Sequence, residues 1–329
     1  MFRISRYLHA LTQPAASVRR PVKPTGPVVI WNLVRRCNLT CRHCYATSAD
    51  KDFPGELTTS DVFNVMDDLR DFGVPVLILS GGEPLLRPDI FEISQRAKSM
   101  GFYVGLSSNG TLINETTITD IAEVGYDYVG ISIDGMRDTH DRFRRKQGAF
   151  DESIRGIRYC RDAGLKVGLR FTLTQDNAAE LPDLLQLMDA DGAYLLLWAA
   201  HHLPQHHARL QEMVSRWGGN SSGVNIANID NEGRVHPDTM WWDYTLGSVK
   251  ERRFSEIWQD TSEPLMAGLK QKTRPLEGRC AECTHRSICG GNSRTRAWRL
   301  TGNPWAEDPG CYLTDDEIKP PPSIRVATG

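Results

Sequence analysis

The 329-residue chain has no apolar run approaching the roughly 20 residues that span a hydrocarbon core. A helical membrane span is therefore excluded. It also lacks a charge imbalance. Its 39 Lys and Arg against 41 Asp and Glu give a formal net charge of -2, with no electrostatic footprint for nucleic acid. A secretory signal is missing. So is any acidic residue before Asp50, although Arg3, Arg6, Arg19, Arg20, Lys23, Arg35, Arg36 and Arg42 precede it. An acid-free, Arg-bearing start can mark an organelle transit peptide. The preferred reading of residues 1–27 is an N-terminal extension: a short helical lead from Phe2 to Leu11, then a connector punctuated by Pro14, Pro21, Pro24 and Pro27. The expected setting is a reducing cytoplasm.

Cysteine is not scarce, and it is clustered. In a chain without a secretory signal, such clusters read as metal ligands rather than disulfides. Cys37, Cys41 and Cys44 are spaced Cys-x3-Cys-x2-Cys and followed at once by Tyr45. A cubane iron–sulfur cluster takes four ligands, so three thiolates leave one iron open. An open metal position is where a catalytic centre receives its substrate. Neither of the closed ferredoxin spacings matches. The later set, Cys280-x2-Cys283-x5-Cys289 and then Cys311, is a complete four-thiolate shell. It suits structural zinc or an auxiliary [4Fe–4S] cluster, with the cluster preferred. Cys160 shares an apolar helix face with Ile157 and Ala163 and reads as core.

Between residue 28 and about 190, β-like and helix-like segments alternate. Val28–Val34, Val74–Leu79, Phe102–Ser108, Tyr128–Ile133 and Lys166–Thr174 are strand patterns. Helical spacing runs through Val62, Met66, Leu69 and Phe72, then Ile90, Ile93, Ala97 and Met100, then 118–124, then Phe150, Ile154, Ile157 and Ala163, then 181–190. Thr58-x-x-Asp61 starts the first of these helices and Gly73 stops it. Alternating units imply a parallel sheet, and the unusual residues cluster just after strands, as in a full or partial β/α barrel. A sixth strand is harder to find. Either Tyr194–Trp198 is that strand, or the stretch is helical and the strand is missing; the second reading is adopted. From 218 the texture changes. Val224–Ile229, the turn Asn231-Glu232-Gly233 and Arg234–Asp238 form an expected hairpin, followed by Trp241, Trp242, Tyr244, Phe254 and Trp258, read as core.

The three-cysteine loop, with Gly81-Gly82-Glu83-Pro84 one βα unit later, resembles the radical SAM superfamily. That resemblance implies a [4Fe–4S] cluster on Cys37, Cys41 and Cys44, with S-adenosylmethionine on the open iron. It places the methionyl amino group at the strand edge of Gly81, Gly82 and Glu83, and Tyr45 near the adenine. Ser107, Asn109, Ser132, Asp134 and Arg170 stand at strand ends. Of these, Ser132 would reach the ribose and Arg170 the methionyl carboxylate. The chemistry implied is one-electron cleavage of a carbon–sulfur bond, giving a 5′-deoxyadenosyl radical that abstracts hydrogen. The late cysteines resemble SPASM/twitch extensions with a second [4Fe–4S] cluster. The expected fold is thus a partial (β/α)6-type radical SAM barrel over 28–217, lacking its sixth strand, with a SPASM/twitch-like domain over 218–329.

Longer stretches narrow the family. Phe2-Arg-Ile-Ser-Arg-Tyr-Leu, Cys37-Asn-Leu-Thr-Cys-Arg-His-Cys-Tyr-Ala-Thr-Ser-Ala, Trp217-Gly-Gly-Asn-Ser-Ser-Gly-Val-Asn-Ile-Ala-Asn-Ile-Asp and His236-Pro-Asp-Thr resemble heme d1 biosynthesis radical SAM proteins of the NirJ type. The resemblance implies a tetrapyrrole substrate, 12,18-didecarboxysiroheme, acted on at two propionate side chains. It also implies a low-potential electron donor such as flavodoxin or ferredoxin. Arg142, Arg144, Arg145, Arg294 and Arg296 are available cations for a polycarboxylate. His236 is a lesser candidate for contacting substrate or its iron. The histidines at 201, 202, 206 and 207 read as a solvated face. The family has a longer stretch near 191–200; shortening it here would spare the S-adenosylmethionine site but weaken turnover. Competing readings are a radical SAM peptide-modifying enzyme, a non-catalytic iron–sulfur carrier and a zinc-stabilised binding module. Only about 27 residues precede the first strand, too few for the compact docking domain that peptide-modifying enzymes carry.

Overall fold

The computed structural model describes residues 26–172, 174–187, 220–311 and 313–318. The Phe2–Leu11 lead, the shortened stretch at 191–200 with the Tyr194–Trp198 alternative, and the four histidines between 201 and 207 lie outside them. The described residues form two compact units. One comprises 26–187 and 225–259, the other 220–224 and 260–318.

Among its described residues the first unit carries one mixed sheet. Its strands are β1 (Val28–Val34), β2 (Val76–Gly81), β3 (Tyr103–Ser108), β4 (Tyr128–Ser132), β5 (Val167–Arg170), β6 (Ile226–Ile229), β7 (Arg234–His236) and β8 (Gly247–Ser248). The order is β5-β4-β3-β2-β1-β6-β7-β8. Pairing is parallel from β5 through to β6 and antiparallel for β6–β7 and β7–β8.

Register sorts the two faces. Val29, Leu77 and Val104 lie side by side, as do Trp31, Leu79, Leu106 and Val129, and all are fully buried. These residues are the apolar floor beneath the helices. Helix α1 (Thr59–Asp71) starts at a capping box between Thr58 and Asp61 and buries Val62, Val65, Met66 and Leu69. Helix α2 (Ile90–Ser99) buries Ile90, Ile93 and Ala97 at i, i+3 and i+7. Next come α3 (Thr117–Val124), α4 (Arg137–Arg144), α5 (Ala149–Asp162) and α6 (Leu181–Leu187). The opposite sheet face turns polar at the strand ends, through Asn32, Ser80, Ser107 and Arg170.

Two findings depart from the sequence reading. Helix α4 was not expected, because its sequence RDTHDRFR has no apolar period; it buries Thr139, His140, Asp141, Phe143 and Arg144. The hairpin placed at the head of the C-terminal domain belongs to the first unit's sheet instead. β6 runs parallel to β1, from Val28 opposite Ile226 to Trp31 opposite Ile229. It buries Ala227 and Ile229 and satisfies a backbone edge of β1 that would otherwise lie open. The first compact unit accordingly takes in 225–259, and the second takes 220–224 and 260–318. At the other end, β5 is the terminal strand among the described residues. The first unit also contains α7 (Phe254–Gln259), whose Phe254 stacks on Trp258 with centroids 5.8 Å apart.

In the second unit α8 (Pro264–Lys270) buries Leu265, Met266 and Leu269. Gly268 admits the Trp305 ring: a β-carbon there would lie 2.2 Å from it. Short helices α9 (Gly278–Glu282) and α10 (Arg286–Cys289) lead to α11 (Arg294–Thr301) and α12 (Asp315–Ile318).

Trp31 is central in the sheet and fully buried. Trp31→Ala is expected to lower the unfolding free energy by about 3–5 kcal/mol, read from urea denaturation.

Candidate functional site

The loops leaving β1 and β2 are sewn together by backbone. Gly82 N–H donates to Val34 O at 2.7 Å, and Glu83 N–H to Arg36 O at 2.9 Å. A β-carbon at Gly81 would lie 2.4 Å from Val34 O, and one at Gly82 2.3 Å from Arg36 O. The two glycines, read from sequence as room for a ligand, are thus also required by the chain's own backbone.

Glu83 follows, fully buried. Its carboxylate accepts from Ser108 Oγ at 2.9 Å, Asn109 N at 2.8 Å and Leu85 N at 3.2 Å. Burial raises its pKa to about 7 against the pull of those donors. The Asn109 side chain donates to Asn38 Oδ1 at 2.9 Å and stands 3.9 Å from Cys37 Sγ. The loops after β1, β2 and β3 therefore interlock at Cys37. That thiol is 5% exposed, and burial pushes its pKa up to about 12, with Glu83 adding to the rise. A thiol so placed ionises only with help from a metal or cation.

Cys41 and Cys44, both half-buried, are held one turn apart by Cys44 N–H to Cys41 O at 3.3 Å. Beside them lies a charge cluster that sequence reasoning did not assemble. Asp134, fully buried at the end of β4, meets His43 Nε2 at 3.2 Å and Arg144 Nη2 at 2.5 Å, and accepts from Thr172 N at 3.2 Å. Arg144 also donates to Cys41 Sγ at 3.6 Å. Burial raises the Cys41 pKa, and Arg144 opposes it. A polar, aperiodic helix carrying Arg144 gave no sequence signal of burial. Only the position of Asp134 at a strand end hinted at this cluster.

Tyr45 accepts from Asn32 Nδ2 at 2.9 Å, and Asn32 Oδ1 in turn accepts from Asn228 Nδ2 at 2.7 Å. The Tyr45 ring meets Trp242 edge-on at 5.6 Å, and Trp242 stacks on His236 at 5.9 Å. His236 is buried with Nδ1 at 2.8 Å from Tyr244 O and Nε2 at 3.3 Å from Asp230. Both ring nitrogens are engaged, so His236 is not arranged to contact substrate iron as expected from sequence. Arg170 reaches from β5 across Gly130 to hydrogen-bond Ser107 on β3. The missing side chain makes the passage: a β-carbon on Gly130 would lie 2.7 Å from Arg170 Nε. Ser132 pairs in register with Arg170. Tyr45, Ser107 and Arg170 thus line the polar strand ends, while Glu83 and Asn109 sit beneath Cys37.

In the second unit Cys280, Cys283, Cys289 and Cys311 line one pocket with Arg279, His285 and Arg286. Arg294, 1% exposed, donates to Pro304 O, Ala306 O and Gly291 O, and Arg296 forks onto Asp308 with two bonds of 2.6 Å. These arginines brace the cysteine loops. Buried Arg294 and Arg144 leave the set of cations available to a substrate, whereas Arg142, Arg145 and Arg296 are exposed, Arg296 paired with Asp308.

Among the described residues no three His, Cys, Asp or Glu side chains converge on a single-ion position. The donors nonetheless fit iron–sulfur clusters in chemistry: three thiols on one strand-end loop beside a buried cation, and four thiols around one pocket. A mixed β/α sheet with its cysteine loop, Gly-Gly-Glu seam and polar strand ends has the donor chemistry of an iron–sulfur enzyme.

Comparison narrows this. The sequence model of the Radical SAM superfamily matches residues 31–188. The chain is 44% identical to pre-heme d1 synthase of Dinoroseobacter shibae, covering 96% of this chain and 93% of the relative. It is 38% identical to Fe-coproporphyrin III synthase of Methanosarcina barkeri, covering 90% of each. Streptococcus suis SuiB bound to S-adenosylmethionine has the same fold at TM-score 0.66 and 16% identity, over 88% of this chain and 78% of that one. So does anSMEcpe with bound AdoMet, at TM-score 0.67 and 16% identity, over 86% and 90%. The chain belongs to the radical SAM superfamily. Membership brings a [4Fe–4S] cluster and S-adenosylmethionine as cofactors.

Glu83 offers a pH test. Its folded pKa is raised, so its contribution to stability is full below its unfolded value of about 4.3 and is lost as pH rises through about 7. Between pH 4 and 8 the wild type should lose on the order of 3 kcal/mol more unfolding free energy than Glu83→Gln, measured by urea denaturation at each pH.

Proposed function

We propose that this enzyme acts in heme d1 biosynthesis, modifying or removing propionate side chains of 12,18-didecarboxysiroheme. The observation that carries this is the 44% identity with pre-heme d1 synthase along nearly the whole chain. Identity with Fe-coproporphyrin III synthase and AdoMet-dependent heme synthases supports the wider class, a tetrapyrrole substrate. The alignment with pre-heme d1 synthase runs to 379 positions, longer than this chain, so that relative has segments without counterpart here.

In this reading Cys37, Cys41 and Cys44 hold the catalytic cluster, and Cys280, Cys283, Cys289 and Cys311 hold a second [4Fe–4S] cluster in a SPASM/twitch-like unit. Bound together, the first cluster and S-adenosylmethionine supply a carbon radical able to take hydrogen from an unactivated carbon. The chain's residues position the cofactor. The backbone edge at Gly81, Gly82 and Glu83 would hold its amino group, Arg170 its carboxylate, and Ser132 its ribose. Tyr45 would pack by the adenine, while Ser107 holds Arg170 and Asn109 orders the Cys37 loop. Electrons come from a low-potential donor such as flavodoxin or ferredoxin, in a reducing cytoplasm.

Anaerobic iron and sulfide analysis, with EPR of the reduced protein with and without S-adenosylmethionine, tests the cofactor part. About eight irons, from two four-iron clusters, and one signal shifted by S-adenosylmethionine are expected. Zinc on the late cysteines would remove the second cluster. 5′-Deoxyadenosine released on addition of 12,18-didecarboxysiroheme, and not of iron-coproporphyrin III, tests the substrate; the reverse preference would overturn it. Gly130→Val should displace Arg170 and weaken S-adenosylmethionine binding about tenfold, or about 1.4 kcal/mol, by calorimetry. Unchanged affinity would remove Arg170 from the site.

A further inference from the structure

We infer that Arg144, anchored by Asp134, sets the reduction potential of the catalytic cluster through Cys41. The inference rests on the assignment of Cys37, Cys41 and Cys44 to that cluster.

The geometry is specific. Arg144 is 8% exposed, with Nη1 at 3.6 Å from Cys41 Sγ and Nη2 on the fully buried Asp134. Asp134 also meets His43, the residue just before Cys44. The helix that carries Arg144 is tied to the same loop by Arg42 N–H to Phe143 O at 2.9 Å. A guanidinium is therefore fixed against one sulfur of the three-cysteine loop, with its partner behind it.

Reduction adds one electron to the cluster and neither makes nor breaks a bond. The added negative charge is stabilised by a nearby cation and by N–H donated to a cluster sulfur. Burial strengthens both effects, because little water screens them. Arg144 thus raises the potential and eases electron entry. Asp134, an anion in the same cluster of charges, both holds Arg144 in place and partly offsets it. Asp134→Asn keeps a side-chain oxygen to accept from Arg144 and removes only the offsetting charge, so it and the loss of Arg144 have opposite predicted signs. Exposed Arg142, on the same helix, should have little effect.

The test is an EPR-monitored redox titration of the reconstituted full chain, preceded by iron and sulfide analysis of each variant. Arg144→Met should reduce the reduced-to-oxidised ratio of the catalytic cluster at fixed poise about tenfold, a negative shift of about 59 mV for one electron. Asp134→Asn should shift the potential positive, and Arg142→Met should leave it unchanged. Equal potentials in wild type, Arg144→Met and Asp134→Asn overturn the inference, as does a shift of the same sign in both. If Arg144→Met fails to retain the cluster, Asp134→Asn with Arg144→Gln decides: a negative shift in the latter supports the role of charge, and no shift overturns it. Absence of the cluster from wild-type protein would instead defeat the ligand assignment itself.

Discussion

The seam between the loops that leave β1 and β2 is the constraint on which the site depends. Backbone bonds from Gly82 to Val34 and from Glu83 to Arg36 press the two exits together more closely than any side chain would permit. Glu83, buried beside that seam, reaches the β3 loop through Ser108 and Asn109, and Asn109 reaches back to Asn38 beside Cys37. One buried carboxylate and two glycines thereby fix the start of a cysteine loop that lacks regular structure of its own. The arrangement is costly in desolvation, which is why the Glu83 carboxyl is held far above the usual carboxylate range.

Around that seam the molecule places polar groups where a sheet normally places apolar ones. The helix-covered face is a continuous apolar floor, from Trp31 across Leu79 and Leu106 to Val129. The other face becomes polar at the strand ends, where Arg170 crosses Gly130 and Tyr45 joins the chain of Asn32 and Asn228. The hairpin of β6 and β7 is part of this design. By pairing with β1 it covers that strand's edge and supplies Asn228, and Trp242 beyond β7 packs on Tyr45. In the second unit the logic is similar: Arg274, Arg279 and Arg294 donate to loop carbonyls around the four cysteines, bracing loops too short to hold themselves.

Much of the first unit was legible because its core obeys simple periods. β1 occupies the residues expected, and α1 begins at its Thr58–Asp61 box. Helix α4 escaped because its buried face is mostly polar, with Thr139, His140, Asp141 and Arg144 beside Phe143; a hydrophobic pattern cannot report burial achieved through hydrogen bonds and an ion pair. The place of the hairpin escaped for a different reason. Ile226–Ile229 is recognisably a strand, but no local feature says that its neighbour is a strand almost 200 residues earlier. Arg294 and Arg296 looked like free cations for the same reason, since their carbonyl and Asp308 partners are set by loop folding.

The sequence by itself determined the chemistry on offer: two groups of thiols, a Gly-Gly-Glu seam, and alternating units that build a parallel sheet. Residue type and spacing suffice for these, because metal ligation and helical or strand periods are local properties of a chain. Only the tertiary structure decided which groups are spent on holding the fold and which face the reaction. Pairing, burial and the loss of screening arise between segments distant in sequence. Arg144 became a neighbour of Cys41, His236 an internally satisfied ring, and Gly130 a passage for Arg170 only when the sheet brought them together.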